Sequence, residues 1–192
     1  MMISLAEFEI ALRGLLRLAR FDAGFAGFFD LSKDGAKRSF RLALPLLPFY
    51  LLLLNLNAKW PEDADPARIG AAELIGYVLM WVAFPLLLLM GARLLDREGR
   101  VYGAIAVYNW LSVLAVAIQL PVEIATYYGL DRSWGDGLSL VALIFVTACE
   151  FFAFKRLLEV GFEIATALVV VEYVLGRIII GLLVAMAGGP LF

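Results

Sequence analysis

Six side chains that ionise or hydrogen-bond stand inside stretches otherwise built from leucine, valine, isoleucine, alanine and phenylalanine: Glu73, Asn109, Gln119, Glu123, Glu172 and Arg177. An ionisable group at the centre of a bilayer costs about 2.5 to 3.5 kcal/mol on insertion scales, so each calls for a partner or a task. Glu172 and Arg177 fall near the middle of the last apolar run. Their five-residue spacing turns them about 140° apart on an ideal helix, so each needs a partner on another segment. At about 1.5 Å per residue from the outer end, Arg177 lies roughly 15 Å deep and Glu123 roughly 8 Å deep, a gap that a guanidinium can bridge. Glu73 is the second candidate acid. Three chemistries fit the group: an ion pair locking helices together, a polar or ion-conducting pathway, and a contact with lipid headgroups.

Asn109, Ser112, Gln119, Glu123 and Thr126 follow one another at intervals that keep them on one side of a helix. That side faces protein or water rather than lipid. Pro121 interrupts the backbone ladder between Gln119 and Glu123, and carbonyls freed there can serve a cation or a solute. The alternative is a seam of hydrogen bonds between helices. Gly181, Ala185 and Gly189 form a small-xxx-small pattern that lets another helix approach closely, from the same molecule or from a second copy. Glu150, close to Lys155 and Arg156, reads as a carboxylate snorkelling to the interface.

Catalytic signatures do not appear. With no histidine and a single cysteine, Cys149, the chain lacks the commonest transition-metal ligands and cannot form an internal disulfide. Neither a Gly-x-Ser-x-Gly elbow, a His-Glu-x-x-His pair, a phosphate-cradling glycine loop nor a pair of intramembrane aspartates occurs. The expectation is a non-enzymatic protein with no catalytic residue, cofactor or metal. Its net charge of −2 and the lack of a basic patch also argue against a nucleic-acid partner.

The elements that must position these groups are membrane spans. Of the 192 residues, 63% are hydrophobic, and the mean hydropathy is +0.89, against roughly 45–50% apolar residues in soluble domains. Five runs, approximately 40–56, 71–92, 101–128, 138–154 and 164–187, approach the roughly 20 apolar residues that a helical crossing needs. The predicted fold is therefore all-α: a polytopic membrane helical bundle of about five transmembrane helices behind an N-terminal amphipathic interfacial helix. Residues 1–38 form the cytoplasmic and juxtamembrane segment, and residues 39–192 the five-span domain.

Basic residues set the orientation. With the N-terminus inside, twelve lie on the inner side: Arg13, Arg17, Arg20, Lys33, Lys37, Arg38, Arg41, Arg93, Arg97, Arg100, Lys155 and Arg156. Only Lys59, Arg68 and Arg132 lie outside, the first beside the acidic Glu62, Asp63 and Asp65. The reading is a membrane protein with a cytoplasmic N-terminus and its C-terminus on the opposite side.

Ahead of the first span, Leu5, Phe8, Leu12, Leu15 and Ala19 recur at helical spacing, with Glu9, Arg13 and Arg17 opposite. These charges interrupt what would be the apolar stretch of a signal peptide, so the segment is expected to be retained. It reads as a helix lying on the cytoplasmic leaflet, with packing on the bundle as the alternative. Phe21, Phe25, Phe28 and Phe29 continue the interfacial stretch, and Ser32 offers an N-cap for a helix leading into the first span. Expected partners are membrane lipids, and other membrane proteins or a second copy.

The stretch from Phe28 to Phe40, which reads FFDLSKDGAKRSF, and the segment from Phe84-Pro85 to Tyr108-Asn109-Trp110 resemble small inner-membrane proteins of alphaproteobacteria. In span number and orientation, and in the run from Pro85 through the charged Gly99 loop to Tyr102 and Tyr108, the whole chain also resembles the Yip1-type membrane proteins. The Asp-Leu-Tyr-Gly-Pro element of the eukaryotic members is missing, so no functional residue carries over. What the resemblance implies is a non-enzymatic role in membrane organisation or as a partner of other membrane proteins.

Overall fold

Serine and aspartate start most of the helices, and each does so by accepting a hydrogen bond from a backbone N–H that the first turn leaves without a partner. The structure, a computed structural model, describes residues 4–57, 60 and 65–188. Lys59, Glu62 and Asp63 of the acidic loop, and Gly189, lie outside the described residues. Ser4 caps α1 (Leu5–Leu18), Asp22 caps a 3₁₀ turn (Ala23–Phe28) and Ser32 caps α2 (Lys33–Ser39). A further 3₁₀ turn (Phe40–Leu42) joins α2 to α3 (Ala43–Asn57). Asp65 caps α4 (Pro66–Leu94), α5 runs from Val101 to Tyr127, Asp131 caps α6 (Arg132–Leu157), and α7 spans Phe162–Met186. No strand occurs among the described residues.

Five stretches are long and apolar enough to cross a bilayer: Lys33–Leu56, Pro66–Leu94, Val101–Tyr127, Arg132–Leu157 and Phe162–Met186. They make the chain a multi-pass membrane protein by length and composition, and they contain or match the five runs read from hydropathy. The first is longer than its apolar part because α2 leads into it, as the Ser32 cap predicts.

One helix holds the others together. Half of the most apolar stretch of α5 is buried, against 17% to 28% in the other four spans, so α5 is the central one. It packs against α1, α2, α3, α4 and α6, while α7 lies at the edge against α4 and α6. Aliphatic side chains such as Leu74, Val78, Leu86, Val141, Ile144 and Val170 are exposed on the outer faces. In water such an apolar surface would be untenable, and in hydrocarbon it is the required solvent contact.

The N-terminal segment seats on one end of this bundle. Ala11, Gly14, Leu15 and Leu18 of α1 are buried, whereas Leu5, Ile10, Leu12 and Leu16 are exposed. The helix is thus turned from the predicted face toward 11, 14, 15 and 18, and it leaves a second apolar face free. The phenylalanines that follow do not form a purely interfacial stretch. Phe25 is fully buried and Phe29 nearly so, in a chain of rings that runs from Phe152 through Phe25 and Phe29 to Trp110. Phe21 stays 45% exposed, and Arg17 lies over the ring of Phe28. Aromatic burial of this size outweighs the interfacial preference once a bundle end offers ring partners.

Arg38 ties the junction, pairing with Asp30 and, at 3.6 Å, with Glu7. Hydrogen bonds from Ser32, followed by Arg38, hold the Asp30 carboxyl below its ordinary value near 3.8. A lowered carboxyl stabilises the fold above the unfolded value and loses that contribution as pH falls through the folded one. Asp30→Asn is therefore expected to lower the thermal midpoint slightly at pH 6, with the difference from wild type shrinking below about pH 4. Paired melting curves at pH 6 and pH 2.5 check this. A difference that grows at the lower pH contradicts it.

Candidate functional site

The polar side chains of α5 point at successive neighbours. Asn109, 1% exposed, donates from Nδ2 to Ser39 Oγ at 2.9 Å, and Ser39 Oγ donates in turn to the carbonyl of Ala36 at 2.7 Å. This chain joins α5 to α2. One residue earlier, Tyr108 Oη donates to Glu172 Oε1 at 3.2 Å and joins α5 to α7. Three turns further on, Gln119 Nε2 donates to Glu123 Oε1 and to Ser139 Oγ at 2.9 Å, and Ser139 Oγ donates to Glu123 Oε1 at 2.9 Å. That triangle joins α5 to α6. Thr126 bonds back to the carbonyl of Val122 and faces Gly135, where a Cβ would lie 2.3 Å from its hydroxyl.

The stripe read from spacing is therefore a seam. Helical periodicity put these groups on one side, and the neighbours that meet this side each contribute a hydroxyl or a carboxylate. Pro121 removes a donor from the ladder, yet α5 continues through it as one helix. Tyr108 lies deep in its span, where a packing or hydrogen-bonding role is expected, whereas Ser39 and Ser139 were not singled out by sequence reasoning. The signal available was that each is a hydroxyl at the edge of, or within, an apolar run.

The predicted bridge from Arg177 to Glu123 does not form. On α7 the buried residues are Ala165, Val169, Ile179 and Leu183, which gather on the side that also carries Glu172. The turn of about 140° between Glu172 and Arg177 then puts the guanidinium on the opposite, exposed side. Glu123, half-buried, is meanwhile bonded to Gln119 and, across to α6, to Ser139. Glu73 stands apart from all of them, half-buried on α4, where its charge acts on Tyr50.

Glu150 does not snorkel toward Lys155 and Arg156. It is 8% exposed, and its carboxylate acts on Glu172 and Tyr108. Two glutamates thus flank one tyrosine inside the bundle, with no ion pair to either among the described residues.

The small residues behave differently from the pattern read in α7. Gly181 and Ala185 are only half-buried. The close approach of α4 and α7 is made instead at Gly76, where a Cβ would lie 2.2 Å from Leu183 Cδ1.

A cavity of about 240 Å³ opens beside the seam, lined by Tyr50, Tyr77, Trp81, Tyr108, Asn109 and Ser112 among others. Asn109 Oδ1 is buried there without a hydrogen-bond partner. No group of three or more potential metal ligands occurs among the described residues.

A network of neutral donors around one carboxylate tolerates loss of charge better than loss of shape. Glu123→Gln is expected to change stability by less than about 1 kcal/mol, whereas Glu123→Leu costs about 1–2 kcal/mol by removing the acceptor that Gln119 and Ser139 share. Unfolding of both variants in the same detergent micelle checks the order. Equal losses would contradict it.

No protein family matches the chain, and neither the curated proteins nor the solved structures include a significant match to it.

Proposed function

We propose that this chain is a non-enzymatic structural subunit or organising scaffold of the bacterial inner membrane, with α1 and the N-terminus on the cytoplasmic face. The observation that carries this reading is the way the polar groups of α5 are taken up. Asn109, Gln119 and Glu123 are each bonded to a side chain of a neighbouring helix, and Tyr108 to Glu172. Groups used this way fix helix positions, and among them the Asn109 Oδ1 beside the cavity keeps no partner among the described residues. The exposed Leu5, Leu12 and Leu16 give α1 an apolar face beside the arginines Arg13 and Arg17, a combination suited to an anionic leaflet. The excess of lysine and arginine on the α1 side supports the orientation. A role among other membrane proteins is also what the Yip1-type resemblance implies.

A second reading has its own support. Glu150 and Glu172 beside Tyr108, with a cavity that reaches Tyr108 and Asn109, resemble part of a pathway for a small solute or an ion. Purified protein in sealed vesicles separates the two. The scaffold reading expects proton and potassium fluxes equal to those of protein-free vesicles, and a defined protein or lipid companion retained through mild-detergent purification. A flux that Glu172→Gln abolishes would replace it with the transport reading.

A further inference from the structure

Arg177 is exposed on the outer side of α7, and no hydrogen bond, ion pair or ring contact engages it among the described residues. Three registers place it at mid-depth. The Tyr108–Glu172 bond puts Arg177 level with about residue 113 of α5, twelve residues from one end of Val101–Tyr127 and fourteen from the other. The contact between Gly76 and Leu183 puts it level with about residue 82 of α4, close to the middle of Pro66–Leu94. On α7 itself the nearer end, Met186, is nine residues away, or about 13 Å.

Neither headgroup layer is within easy reach. Helical side chains lean toward the N-terminus of their helix, which carries this guanidinium away from Met186 and toward the farther end of α7. Snorkelling works for long side chains near span ends, and Arg177 is not at one. An uncovered guanidinium at this depth is among the most unfavourable arrangements a bilayer permits.

A second copy does not supply the missing partner. A two-fold axis along the bilayer normal, set on this face, would oppose Arg177 to its own equivalent. The other carboxylates of the spans are committed or at another level. Glu172 is bonded to Tyr108, Glu123 is bonded to Ser139 of α6, Glu150 is buried, Glu73 lies about 10 Å from mid-depth, and Asp34, Asp136 and Glu163 stand near the ends of their spans.

We propose that Arg177 marks an intramembrane docking face whose occupant is a transmembrane helix of a different protein carrying an aspartate or glutamate at mid-span. The face itself has the form of a helix-packing seam. Val170, Tyr173, Arg177, Gly181 and Val184 recur at spacings of three and four; Val170 and Tyr173 are 53% and 51% exposed, and Gly181 offers a place for close approach. A carboxylate supplied across this seam would pair with the guanidinium where water competes least. The proposal rests on the scaffold reading and names the chemistry of its partner.

The probe is a synthetic leucine–alanine transmembrane helix with one central glutamate, labelled for energy transfer and reconstituted with the full-length chain in zwitterionic vesicles. The expected result is association at least about tenfold tighter than for the same peptide with a central glutamine, lost in Arg177→Leu and kept in Arg177→Lys. Removing the charge relieves the membrane penalty, so Arg177→Leu is expected to stay folded. Equal binding of the two peptides overturns the proposal, as does no binding of either. Arg177-dependent energy transfer between differently labelled copies of this chain overturns it in favour of a homomeric contact. A glutamate preference that appears only with anionic lipid overturns it in favour of a headgroup contact. All these results leave the flux measurement, and with it the scaffold reading, unaffected.

Discussion

Gly35→Ala is expected to destabilise the protein by about 2–3 kcal/mol, the upper part of the range for overpacking. A Cβ at Gly35 would sit 2.0 Å from the backbone carbonyl oxygen of Asp30 and 2.7 Å from its carbonyl carbon. A side-chain tip can swing away from such a contact, but this carbonyl cannot. The Asp30 carboxylate is held by the backbone N–H of Ser32 at 2.9 Å and by Arg38, so the loop ahead of α2 would have to move as a unit. The same substitution at Gly91 of α4, where a Cβ meets nothing within 4 Å, should be neutral or slightly stabilising, because only backbone entropy changes. Thermal unfolding in one detergent compares the two. Similar midpoints for the two variants would contradict the packing described at the start of α2.

Gly14→Leu should release α1 from the bundle. The added Cβ would lie 2.7 Å from Phe28 Cβ and 2.7 to 2.8 Å from two ring atoms of Phe29. Phe29 in turn packs on Trp110, so the ring has little freedom to yield. The expected loss is about 2–3 kcal/mol, capped at the docking energy of α1, and it should therefore appear as local release rather than global unfolding. Limited proteolysis near Phe21 should accelerate while the unfolding midpoint of the five spans barely moves. Faster cleavage throughout the chain would show that α1 is an integral part of the core.

Much of this architecture is legible in the sequence because hydrocarbon imposes simple rules. Long apolar runs must be helices, and Ser32 could be read as a cap from its residue type and place. The one-sided stripe from Asn109 to Thr126 follows from periodicity alone. What periodicity cannot supply is the partner across the interface. It marked Glu172 as needing one, but the answer, Tyr108, depends on the register of α7 against α5. Depth counted along each helix suggested Arg177 and Glu123 as a pair, and rotation about the helix axis forbids it. Glu150 was misplaced for a similar reason: nearness in sequence to Lys155 and Arg156 pointed to the interface, while the angular position of Glu150 on α6 turns it inward. The buried phenylalanines were missed because an aromatic run before a span fits an interface belt as well as a core.

The seam on α5 is closed where its polar groups bond helix to helix instead of lining water. Ser112 borders the cavity beside that seam, and Ser133 is exposed at the start of α6. In a Cys149→Ser background, Ser112→Cys and Ser133→Cys in sealed vesicles can be treated with a membrane-impermeant thiol reagent. The prediction is rapid labelling at 133 and none at 112 until the protein is denatured. Labelling at 112 as fast as at 133 would mean that water reaches the middle of α5, and would contradict the seam.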